Sequence, residues 1–144
     1  MKYFCTCLVA LASSVTVYAA NRGPAMAPAT NSVKITEPAN GAKVASKFKV
    51  KMDVEGYTIG PVGDLAKGKG HHHLIVDGGP TPEGTVVPAD ATHIHFGKGQ
   101  TETELDLAPG KHKLTLQFAD GAHRSYGPAM SQTIEIEVAP TAKK

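Results

Sequence analysis

Five of the chain's seven histidines stand in two short blocks, His71-His72-His73 and His93-Ile94-His95. Both blocks lie in stretches that read as strands. Side chains alternate faces along a strand, so His71 and His73 point one way, and His93 and His95 pair in the same fashion. Two such i, i+2 pairs on neighbouring strands can build one imidazole cluster. Neutral imidazole is a ligand for zinc, copper and nickel at metal–nitrogen distances of about 2.0–2.2 Å, and it titrates near neutral pH. The pattern therefore points to transition-metal binding by His71, His73, His93 and His95, with His72 and His123 as additional candidates. Asp77 and Glu102 are the candidate carboxylates for orienting the rings from behind.

Facing decides which rings can meet. In the second block Ile94 and Phe96 are the natural core residues, which turns His93 and His95 outward. The first block permits two registers. If Leu74 and Val76 face the core, His72 does too, and His71 and His73 share the outer face with Ile75 and Asp77. The opposite register buries His73 and exposes His72. His112 runs in phase with Leu114, Leu116 and Phe118 and reads as a structural hydrogen-bonder, whereas His123, in the turn Asp120-Gly121-Ala122-His123, is exposed enough to add a ligand.

The composition narrows the metal. Residues 1–19 have a basic start at Lys2, an apolar run too short to span a membrane, and small residues at their end, the pattern of a secretory signal peptide cut after Ala19. Both cysteines, Cys5 and Cys7, fall inside that segment, so the expected mature chain has no thiol. Disulfides, cysteine nucleophiles and thiolate metal sites go together. Outside the leader the methionines are Met26, Met52 and Met130, too few and too scattered for a methionine-rich Cu(I) site. Cleavage leaves no histidine among the first three residues, which removes amino-terminal copper chelation. Cu(II), Zn(II) or Ni(II) in a nitrogen-rich site remain, with Cu(II) and Zn(II) the leading pair. The formal charge of +2, without a basic run, gives no reason to expect nucleic acid or an anionic membrane as partner. No later apolar stretch is long enough to anchor the mature chain in a bilayer.

The elements that must position these rings are strands. Residues 20–31 carry Gly23, Pro24, Pro28 and scattered alanines without apolar periodicity and read as a flexible linker, and 140–144 read as a disordered tail. Between them, 32–139 form one domain alternating in period two. Phe48, Val50, Met52 and Val54 alternate with Lys47, Lys49, Lys51 and Asp53, and Leu114, Leu116 and Phe118 alternate with Lys113, Thr115 and Gln117. Segments beginning near Val33, Phe48, His72, His93, Glu102, Leu114 and Ile134 make about seven strands. The fold class this implies is all-β, a single immunoglobulin-like antiparallel β-sandwich. Two glycine- and proline-rich loops, 56–70 and 78–92, flank the first histidine block, and long loops in a compact domain are where function concentrates.

Three motifs in order carry a family resemblance: Gly70-His71-His72-His73-Leu74, His95-Phe96-Gly97-Lys98-Gly99-Gln100-Thr101-Glu102, and Pro109-Gly110-Lys111-His112. With Asp120, His123 and Ser131 following, the chain over 33–138 resembles the exported family known as domain of unknown function 4399. The resemblance implies a small secreted or periplasmic β-domain and supplies no reaction or ligand.

Two readings of different class follow. The first is an exported β-sandwich that binds copper or zinc through a surface histidine cluster. The second is a non-catalytic structural or protein-interaction module of the cell envelope whose histidines stabilise loops, with His95 and Glu102 available to each other rather than to a metal. No serine or cysteine nucleophile signature supports an enzyme.

Overall fold

Alternating lysines and apolar residues along the second long segment build a strand with one wet and one dry face. In the computed structural model, which describes residues 32–140, this is β3 (Lys47–Glu55). It lies between β1 (Ser32–Glu37) and β7 (Glu102–Asp106) in a three-stranded antiparallel sheet. Val50 and Met52 are buried, while Lys47, Lys49 and Lys51 pair outward with Glu104, Glu102 and Glu37 at 3.0, 3.3 and 3.0 Å. Such exposed pairs add little stability each, so the apolar face holds this sheet in place.

The second sheet contains β2 (Lys43–Val44), β9 (Ser131–Val138), β8 (Gly110–Ala119), β5 (Lys69–Val76) and β4 (Thr58–Ile59) in that order, with β6 (His93–His95) also paired to β5. A 3-10 turn, Pro128–Met130, precedes β9. The core fills the space between the sheets: Val33, Ile35, Val50, Met52 and Leu105 from the first, and Leu74, Leu114, Leu116, Phe118, Ile134, Ile136 and Val138 from the second. The fold is thus all-β in two sheets. Two features of the sequence-based expectation are corrected. There are nine strands among the described residues rather than about seven, the additional ones being the two-residue β2 and β4. Both of these pair in parallel, with β9 and β5 respectively, so the structure is not wholly antiparallel. Two-residue strands carry too short a pattern to stand out by alternation.

A further correction concerns the outer face of the second sheet, expected to be wet. From His71 to Ile75 and from Leu114 to Ala119 every residue is buried, so both faces are covered. The cover is the 78–92 loop together with the segment after β8. Thr81 donates its backbone N–H to Gln117 Oε1 at 3.1 Å, Thr115 Oγ1 donates to the Gly78 carbonyl at 2.7 Å, and Ser125 Oγ donates to the Thr81 carbonyl at 2.8 Å. Gln117 Nε2 in turn donates to the carbonyls of Gly127 and Met130, at 3.0 and 3.1 Å. The polar side chains that alternation assigns to solvent instead satisfy the backbone of a loop layer, as buried polar groups must. The expected signal peptide, the linker and the tail beyond Pro140 lie outside the described residues. Among the described residues no helix is long and apolar enough to cross a membrane.

Candidate metal centre

The register of β5 places the histidines. His73 lies opposite His95 of β6, and Ile75 lies opposite His93. On the other edge His71 lies opposite Ala119, the last residue of β8. The chain then turns sharply. Asp120 Oδ1 accepts the backbone N–H groups of Ala122 and Arg124 at 2.8 and 2.9 Å, and its carbonyl accepts that of His123 at 2.9 Å. His123 sits at the left-handed φ of 64° that this turn requires, a conformation uncommon for a residue with a Cβ. Its carbonyl accepts the N–H of Val87 from the covering loop at 2.9 Å, which locks the turn down. The consequence is that His123 swings over the end of β5 and joins His71, His73 and His95.

One nitrogen from each of these four rings lies within 4.8 Å of the others. His71 Nε2 stands 3.1 Å from His73 Nε2 and 3.1 Å from His95 Nε2. A single imidazole nitrogen carries one proton or one lone pair, so it cannot complete good hydrogen bonds with both neighbours. A cation accepting several lone pairs at once suits the arrangement: four nitrogens about 2.0–2.1 Å from a tetrahedral zinc are about 3.3 Å apart. His123 completes the set, with its ring centroid 4.6 Å from that of His95 and 5.2 Å from that of His71.

Burial sets the protonation. His71 is 0% and His73 1% exposed, while His123 is half-buried and His95 open to solvent. Loss of hydration, reinforced by the neighbouring imidazoles, pushes His71 down to about 4 and His73 down to about 3, against the partial opposition of Asp120 at His71. His95 is lowered as well, by burial first and His123 second. The four-ring set thus includes two imidazoles held neutral far below pH 7, the form a metal requires. The Nδ1 atoms of His71 and His73 are buried without a hydrogen-bond partner, so packing rather than a carboxylate holds these rings in orientation.

The other sequence-nominated residues go elsewhere. His93 is not brought to the cluster: one step farther along β5, its Nδ1 pairs with Asp90 Oδ1 at 2.8 Å. The outward placement of His71 and His73 is corrected to a buried one, because the loop layer covers that face. His72 points to the opposite side, into the core against Phe118 at a centroid distance of 5.2 Å, with neither ring nitrogen partnered. Asp77 orients no cluster ring. Its carboxylate takes the Lys113 N–H and His112 Nδ1, both at 2.9 Å, and His112 Nε2 donates to the Ala108 carbonyl at 2.9 Å. Glu102 is tied to Lys49 on the other sheet. His123, ranked as an additional ligand by sequence, occupies the place expected of His93. The signal for it was a turn ending in histidine directly after a strand that neighbours the His-x-His strand.

Two openings bear on access. An open recess of about 350 Å³ is lined by Val62, His95, Gly97, Lys98, Gln100 and His123, and leads from solvent to the two more accessible rings. Gly97 keeps it in shape: a Cβ there would fall 2.3 Å from His95 Cε1 and 2.7 Å from His95 Nε2, too close for the ring to remain where it is. A cleft of about 400 Å³ at the other end of β8 includes Asp77, His112, Lys111 and Glu137 and contains none of the clustered histidines.

No curated protein matches the chain. A solved structure, the endo-β-1,4-mannanase from Thermotoga petrophila, aligns at 13% identity and a TM-score of 0.45 over 76% of this chain and 20% of that one, so the chain spans a fifth of that enzyme, and the likeness is too distant to bear on fold or function. Residues 50–139, which include all four clustered histidines, match the model of the family described as Domain of unknown function (DUF4399), and the chain belongs to that family.

Proposed function

We propose that this protein is an exported, periplasmic or secreted domain that binds one divalent transition metal ion, Cu(II) or Zn(II), through His71, His73, His95 and His123. The observation that carries the reading is the convergence of four imidazole nitrogens within 4.8 Å, with no carboxylate in the group. An all-nitrogen donor set suits borderline metals such as Zn(II) and Cu(II) and does not suit calcium or magnesium, which take oxygen. Export rests on the leader-like 1–19 segment and the thiol-free remainder. The seven longer strands, in two facing sheets, support an immunoglobulin-like architecture for the scaffold.

The competing reading, histidines that merely stabilise loops, is favoured at two other places. His93 with Asp90, and His112 with Asp77 and Ala108, have the carboxylate and carbonyl partners of structural histidines. The clustered rings do not, since their short contacts are to one another. Calorimetric titration of the tag-free protein with Cu(II) and with Zn(II), beside a His95→Ala/His123→Ala variant, tests the proposal. The expected result is one tight ion per chain, weakened by at least tenfold in the variant. Absence of stoichiometric binding of either metal to the unaltered protein overturns it.

A further inference from the structure

The recess beside His95 and His123 has a chemistry of its own. It leads to the cluster from the side of the two accessible rings, whereas His71 and His73 form a closed floor. Four neutral imidazoles offset none of a metal's double positive charge. Asp120 is the carboxylate felt by His71, but one of its oxygens is committed to the N–H groups of Ala122 and Arg124. At the recess wall stands Lys98, whose ammonium has no carboxylate within ion-pair distance among the described residues, and Gln100, whose Oε1 accepts the Lys98 N–H and leaves its amide nitrogen free to donate. His95 and His123, the two rings that line the recess, are the members of the cluster within reach of solvent.

Resting on the metal reading above, we propose that the recess is the binding site of a small monovalent anion, of carboxylate size, which enters between His95 and His123 and completes the metal's coordination. Lys98 is its charge partner and Gln100 a hydrogen-bond donor to it. The anion supplies the negative charge that the histidines lack, and Gly97 leaves the space it occupies.

Azide is a suitable probe, because its binding to Cu(II) produces a charge-transfer band. The tag-free protein without residues 1–19, and so without Cys5 and Cys7, is first loaded with Cu(II), uptake is verified by calorimetry, and azide is titrated while the absorption spectrum is followed. The expected outcome is a saturable one-to-one change. Lys98→Gln should weaken it about fivefold, as for one charge acting through partly solvated surroundings, while added salt narrows the gap between the proteins. Lys111→Gln, at the distant cleft, should leave it unaltered. Copper uptake with no saturable azide change, or equal azide affinity in the protein and its Lys98→Gln variant, overturns the anion site and leaves the metal reading standing. No copper uptake overturns both.

Discussion

Replacing His72 with leucine should make the metal-free protein more stable, and more so in mild acid. The ring is 0% exposed on the inner face of β5, packed between the sheets, and neither nitrogen has a hydrogen-bond partner. An unsatisfied buried polar group costs about 1–3 kcal/mol, and a leucine of similar volume carries none, while imperfect repacking takes back about 1 kcal/mol. The net gain at pH 7.5 is about 0–2 kcal/mol. Burial also pushes His72 down to about 4 from 6.5, chiefly through lost hydration. A histidine with a depressed folded value contributes its full stability above about pH 6.5 and loses it as pH falls toward 4, because the unfolded chain takes up the proton first. At pH 5 the unfolded state is therefore favoured by about 2 kcal/mol through this one residue, and His72→Leu removes that penalty. Urea unfolding followed by circular dichroism, with chelator present at pH 7.5 and pH 5, measures both effects. At about 1–3 kcal/mol per molar urea, the variant's midpoint should rise by roughly 0.5 M at pH 7.5 and by visibly more at pH 5. A loss above 1 kcal/mol at pH 7.5, or the same difference at both pH values, would refute the reasoning.

Three further outcomes are expected. Gly97→Ala, whose new methyl would collide with the His95 ring, should lower Cu(II) or Zn(II) affinity by about tenfold or more, checked by calorimetry against unchanged circular dichroism; the tenfold corresponds to about 1.4 kcal/mol. His93→Ala should leave metal affinity within about twofold and cost no more than about 1 kcal/mol in urea unfolding, since it removes partly exposed contacts with Asp90 and Thr92. His112→Gln tests the opposite sign of pH dependence. The Asp77 carboxylate and then the Ala108 carbonyl raise the His112 value, so its contribution is complete below about pH 6.5 and is lost as pH rises through the raised value. The stability difference between the protein and His112→Gln should be larger at pH 6 than at pH 8.5 by about 1 kcal/mol or less, the Asp77 carboxylate of the pair being half open to water.

Strand placement was largely legible because alternation reports one wet and one dry face. β3 has this arrangement, with Val50 and Met52 inward and Lys49 and Lys51 outward. The inner face of β8 was legible for the same reason, through Leu114, Leu116 and Phe118. Alternation misled where its premise failed. On β5 and β8 the second face is not water but a layer of loop, so His71 and His73 are buried although they stand opposite the core. Thr115 and Gln117 look like solvent-facing residues and are instead the hydrogen-bond partners of that layer. The short parallel strands β2 and β4 left no readable period.

That His71 and His73 share a face, that His95 can stand beside them, and that no thiol competes with them outside the leader-like segment is readable from residue order alone, because side-chain direction along a strand and residue identity are local properties. Which ring completes the set is settled by how the strands and the turn after β8 come together. The pairing of His73 with His95 displaces His93 toward Asp90, and the turn anchored by Asp120 brings His123 across from the end of β8. Register between strands and the path of a turn over a neighbouring strand depend on contacts between residues distant in sequence, and no local pattern encodes them.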